Sequence, residues 1–231
     1  MAQNFTPGNG FTYSNLVLTT PSTGGLAGAG FEPVGLTIDF DQAFSFNFNF
    51  FIAAGTVVRG DGLTFTLAGT PGVGHAGSGL GYEGLGADSV AFAVDTFHFS
   101  GDPVSPSLQI LQGGSVTPLA FTETGLGDSI RDPLWQWRAT VSYTPSGNSD
   151  HQGTLTASIL RPDFGSFAVS AAVDLSSLAN NPVYYGFTAS NGLADDGHYV
   201  TSAVAVPEPG SWALLLAGLV GVRLLTRRRH A

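Results

Sequence analysis

Asp95 and Asp102 stand seven residues apart in "SVAFAVDTFHFSGDP" (Ser89 to Pro103), where an apolar run passes straight into a turn-rich segment. Carboxylates so placed can share one hard cation. Calcium takes about six to eight oxygens, and carbonyls and waters can complete a set that two aspartates begin. They can equally close turns, with Asp95 capping the strand end and Asp102-Pro103 starting the next bend. Acid–base chemistry on a glycoside needs two carboxylates about 5–10 Å apart. The stretch from Ala93 to His98 holds only Asp95, and a lone carboxylate cannot serve as both acid and nucleophile. The chain has no cysteine and no Gly-x-Ser-x-Gly elbow. His75, His151 and His198 fall in predicted loops, where a solvated imidazole is the default. The expectation is a protein that is not an enzyme.

Those residues must be positioned by strands. Before the last 25 residues no helix-length 3.6-residue period appears. Short β-type runs alternate with turn formers instead, among them "LTIDF", "FSFNFNFFI", "LTFTLAG", "SVAFAVDTF", "SLQIL", "WQWRATVSYT", "GTLTASIL", "FAVSAAVDL", "VYYGFTAS" and "YVTSAVAV". In "FSFNFNF" the phenylalanines alternate with Ser45, Asn47 and Asn49, giving one dry and one polar face. Many short strands with regular turn signals predict a β-sandwich or barrel. The "GLGYEG" stretch (Gly79 to Gly84) lies between strands and does not open a helix, which argues against a dinucleotide loop.

Charge narrows the partners. Only 11% of the 231 residues are charged, lysine is absent, and residues 1–206 hold four arginines against sixteen acids. Such a surface repels a phosphate backbone, so nucleic acid is excluded as a partner. The other four arginines cluster in the last nine residues.

The tail "VPEPGSWALLLAGLVGVRLLTRRRHA" is a different kind of sequence. Gly210 to Leu225 would make a helix of about 24 Å, marginal for a bilayer core of about 30 Å. Arg223 could snorkel to the interface, and the arginine block favours a cytoplasmic end. The order Pro207-Glu208-Pro209, short apolar helix, arginine cluster resembles the PEP-CTERM sorting signal of Gram-negative bacteria over Val206–Arg229. The resemblance implies export, a transient inner-membrane anchor and processing by an exosortase. Two units follow: a body over 1–206 and a sorting or transmembrane segment over 207–231.

The body, in turn, resembles a bacterial L-type (legume-like) lectin. An Asp-Gly strand, a glycine-rich loop and a Val-Ala-x-x-x-Asp-Thr strand follow one another in "GDGLTFTLAGTPGVGHAGSGLGYEGLGADSVAFAVDTFHFSGDP". The pieces "LWQWRATVSYT", "GTLTASIL", "AAVDLSSL" and "YYGFTASNGLADDGHYV" come later in the family's order. The resemblance implies an all-β, concanavalin A-like jelly-roll sandwich, followed by one short C-terminal hydrophobic helix, with rim turns presenting a shallow acidic hollow. It implies a carbohydrate site at Asp61 and a backbone N–H near Gly79, and metal ligation by Asp95 and Asp102. Phe99 stands at the family's asparagine, Ala93 at its glutamate and Ser107 at its histidine. With those ligands missing, a transition-metal site is not expected, and calcium would be weakly held. Phe97, Phe99 or Tyr82 could stack on a sugar face in compensation. The implied function is an exported, lectin-like protein of the cell surface or exopolysaccharide matrix, with a polysaccharide or surface glycan as partner. The alternative is a structural matrix or surface protein whose sugar and metal sites have degenerated.

Overall fold

Phe46, Phe48 and Phe50 alternate with Asn47 and Asn49 along β3 (Phe44–Ala53), and the pleat sends the phenylalanines inward and the asparagines outward. The computed structural model describes residues 11–56 and 58–207 and contains twelve strands. The others are β1 (Phe11–Thr19), β2 (Ala27–Phe31), β4 (Gly62–Ala68), β5 (Ser89–Asp95), β6 (Ser107–Gln112) and β7 (Ala120–Glu123). They continue with β8 (Trp137–Pro145), β9 (Gln152–Arg161), β10 (Gly165–Asp174), β11 (Tyr184–Ser190) and β12 (Gly197–Pro207). Two single 3-10 turns, Gly77–Gly79 and Gly127–Ile130, lie in the connections.

The strands form two antiparallel sheets of six. The back sheet runs β1-β12-β3-β8-β9-β10 and the front sheet β2-β11-β4-β5-β6-β7. Their facing sides interlock through aromatic rings. Phe46 lies 4.9 Å from Phe65, and Phe48 lies 5.0 Å from Phe187 in an edge-on contact. Each such ring contributes about 1.5–3 kcal/mol by leaving water. The predicted all-β sandwich is the fold observed.

In β4 and β5 every residue is buried, because the front sheet is covered on both sides. One side meets the back sheet. The other lies under the glycine-rich segment 69–88, where Leu80 and Tyr82 pack on Ala91, Ala93 and Leu111. Small side chains make room for that cover. Thr64 bonds Thr66 and Thr188 at 2.7 and 2.8 Å, and Thr188 donates to the Leu80 carbonyl at 2.9 Å. This layer holds the candidate site in place.

One expectation is corrected. "LTIDF" is not a sheet strand, for it makes a single bridge, Leu36 to Val183. Asp39 ends it by accepting the Asp41 N–H at 2.9 Å, which turns the chain toward β3. The C-terminal helix, together with Glu208 and Pro209, lies outside the described residues, and Pro207 ends β12.

At the far end of β9, buried Arg161 lies over Trp137 (5.0 Å) and Phe164 (4.4 Å) and grips Asp163 through Nε and Nη2 at 2.9 and 3.1 Å. A lysine ammonium has neither the planar face nor the fork that this geometry uses. Arg161→Lys is expected to cost about 1–2 kcal/mol, read as a lower urea midpoint.

Candidate functional site

At the entry to β4 the backbone takes a conformation that suits only glycine. Gly62 has φ +145, and a Cβ there would stand 2.2 Å from the Val94 carbonyl oxygen, so the residue after Asp61 has to be glycine. The strand partner is fixed by register, since Gly62 pairs with Asp95. The Thr96 N–H then donates to the Asp61 carbonyl at 2.8 Å. Asp61 and Asp95 are thereby held at the same end of adjacent strands. Asp102 is near enough to raise the pKa of both.

Asp61 lines an open hollow of about 880 Å³. Gly55, Thr56, Val58 and Arg59 form one wall, Gly77 and Ser78 a second, Phe97 and Phe99 a third, and Gly192, Leu193 and Ala194 a fourth. The lining is mostly carbon, with Asp61 as its one carboxylate. The rim is thus less acidic than the sequence suggested. Asp61 is only 5% exposed and accepts the backbone N–H of Gly192. Burial, followed at a distance by repulsion from Asp102 and Asp196, pushes its pKa up to about 6. Phe99 is 57% exposed and Leu193 is fully so, an unusual outlay of apolar surface at a loop edge.

The expected residues fare differently. Asp61 and Phe99 line the hollow. Gly79 does not, because its Cβ position faces His75 and Glu83; Gly77 and Ser78 supply the backbone there instead. Tyr82 cannot stack on a ligand. It is 0% exposed, with its hydroxyl 3.0 Å from Ser89 Oγ and accepting the Gly114 N–H at 3.2 Å. Phe97, expected as a stacking residue, lines the hollow beside Phe99, whereas Val58, Arg59 and the Gly192–Ala194 turn were not singled out in advance as binding residues. The one local hint was Leu193, an apolar residue set among turn formers in "SNGLADD".

The loop after β5 shows how well these residues fit a cation. Asp95 Oδ1 accepts from the Phe97 N–H (3.0 Å) and the Ser105 hydroxyl (3.2 Å), and Oδ2 accepts from Gln109 Nε2 (2.8 Å). Asp102 Oδ2 accepts the Phe99 N–H at 3.2 Å, and His98 Nδ1 faces the Pro103 carbonyl at 3.1 Å. A cation beside Asp95 would meet donor hydrogens where it needs lone pairs. Among the described residues no three His, Asp or Glu side chains converge as metal ligands. Asp95 and Asp102 act here as acceptors that close turns, and the metal that the resemblance implies does not fit this donor set.

Burial raises the Asp95 pKa to about 7. A carboxyl raised in the folded state adds stability below its unfolded value of 3.8, and loses it as the pH rises through about 7. His198, fully buried, has the opposite sign. Its pKa falls to about 3, so its contribution is lost as the pH drops below about 6.5. The comparison of wild type with Asp95→Asn isolates the first group. Between pH 4 and 8 the variant's melting temperature is expected to rise relative to the wild type's, with the curves closest near pH 4, where Asp95 is neutral, and furthest apart near pH 8, where it is a buried anion.

No family model matches the chain, and no curated protein matches it. Solved structures do. Lectin I-B4 from Griffonia simplicifolia in its metal-free form is 23% identical, with a TM-score of 0.67 over 85% of this chain and 89% of that one. The lectin from Bauhinia forficata in complex with GalNAc is 21% identical, with a TM-score of 0.65 over 82% and 96%. Arcelin-5, a lectin-like defense protein from Phaseolus vulgaris, is 20% identical, with a TM-score of 0.67 over 85% and 88%. The chain has the two-sheet, concanavalin A-like fold of the legume lectins.

Proposed function

We propose that the hollow around Asp61 binds a carbohydrate and that the protein is a lectin, not a glycosidase. The observation that carries this reading is one buried carboxylate at the floor of a carbon-lined hollow. Sugars present hydroxyls on their edges and C–H groups on their faces. Asp61 offers an acceptor to a hydroxyl, while Phe97, Phe99 and Leu193 offer apolar surface to a face. A few placed polar groups among apolar walls are the usual make-up of a small-molecule site. The GalNAc complex of the Bauhinia lectin supports a glycan as the ligand class.

The setting we propose is the outer surface or exopolysaccharide matrix of a Gram-negative bacterium, reached through the PEP-CTERM-like tail. Membrane anchoring and exosortase processing belong to that proposal. The alternative, a structural matrix protein, is favoured by Phe99 and Ala93 standing where the resemblance calls for an asparagine and a glutamate. A glycan array probed with and without calcium separates the two. Binding reduced by Asp61→Ala supports the lectin; a flat array under both conditions leaves the structural role.

A further inference from the structure

We infer that the loop beside the hollow is organised by the chain's own donors in place of a divalent cation, with Arg59 as the positioning residue. The Arg59 guanidinium reaches both ends of the loop that joins β5 to β6. Nε donates to the Thr96 carbonyl at 2.8 Å, and Nη2 lies 3.4 Å from the Ser105 carbonyl. Nη1 pairs with Asp128 at 3.0 Å and so ties the loop to the Gly127–Ile130 turn. Carbonyls from two loop ends and one carboxylate are an oxygen set of the kind a calcium ion gathers. Here a planar fork of five donors gathers them.

Asp95 repeats the substitution on the strand side. Its two oxygens are served by a backbone N–H, the Ser105 hydroxyl and the Gln109 amide. Ser105 is the hinge of the arrangement, donating through Oγ to Asp95 while its carbonyl faces Arg59. Gln109 is held in turn by Ser107 Oγ at 3.0 Å, on the strand position paired with Asp95. Loop and hollow are therefore set before any ligand arrives, which lowers the ordering cost of binding. This inference concerns the loop alone and stands whether or not the hollow takes a glycan.

The test uses the whole protein, stripped with EDTA and then given millimolar calcium or manganese. Thermal melts with chelator and with either metal should superimpose. A midpoint that falls in EDTA and recovers with calcium would overturn the inference. In Arg59→Ala, amide exchange across residues 96–105 should accelerate by roughly tenfold or more, while amides of β8 and β9 keep their protection. Calcium should not restore the loop, whereas methylguanidinium should. Unchanged loop exchange in that variant would also overturn the inference. Gln109→Glu gives a reading if Arg59→Ala does not fold. It replaces the amide donor with a second carboxylate beside Asp95, so its melting midpoint should rise with calcium. A flat response there would count against Gln109 standing in a cation's place.

Discussion

Asp61→Ala is expected to weaken glycan binding by about 10- to 150-fold while the protein stays folded. A hydrogen bond to a charged group contributes about 1.5–3 kcal/mol, which sets that range. A simple sugar held at about millimolar has only about 4 kcal/mol in all, so the variant's binding should fall below detection in a calorimeter. Folding should not suffer in proportion. Asp61 is a desolvated carboxylate repelled by Asp102 and Asp196, and its removal relieves both costs. Unchanged or higher thermal stability together with lost binding separates recognition from unfolding. The same carboxyl predicts a pH limit. With a pKa of about 6, it is ionised at neutral pH, and affinity should decline as the pH falls through that value.

The second large effect lies behind the wall of the hollow. Asp196 is fully buried and accepts the N–H of Gly55 at 3.1 Å and of Gly60 at 3.0 Å, and Arg131 Nη1 at 3.2 Å. It ties the segment carrying Gly55, Thr56 and Arg59 to the start of β12. Asp196→Ala would strand two backbone donors and take from Arg131 its buried carboxylate partner, while Asp128 and the Thr56 carbonyl stay in place. Breaking one side of a buried pair costs about 3–5 kcal/mol, and a urea midpoint shifted by that amount is the expected result. Asp196→Asn keeps one acceptor oxygen and should lose less. Glycan affinity should fall in both, since the wall they support is part of the hollow.

The residues that could be found from sequence are those whose neighbours along the chain carry the signal. "FSFNFNF" announces one wet and one dry face. "SVAFAVD" announces a strand buried on both sides, and the glycine-rich cover supplies the second side. Asp61 is reached through the Asp-Gly pair on which the lectin resemblance rests. "AGAGF" escaped because Gly and Ala are poor strand formers. It is a strand all the same, paired residue by residue with β11, and glycine is required at position 28 because a Cβ there would lie 1.9 Å from the Leu18 carbonyl oxygen. Tyr82 looks exposed among glycines, yet its ring packs from the connection onto Ala91 and Ala93 of β5. Arg59 and Gln109 escaped for the same reason. Arg59 meets its partners 37, 46 and 69 residues away, and no local pattern encodes contacts of that range.

The most direct test of a carbohydrate site at Asp61 is where a bound sugar perturbs the backbone. In an amide NMR titration with the best ligand from the array, we expect the largest shifts at Gly77, Ser78, Gly192 and Leu193, absent in Asp61→Ala. Shifts confined to the polar outer face of the back sheet, around Asn47, Asn49, Arg138 and Ser202, would contradict the assignment.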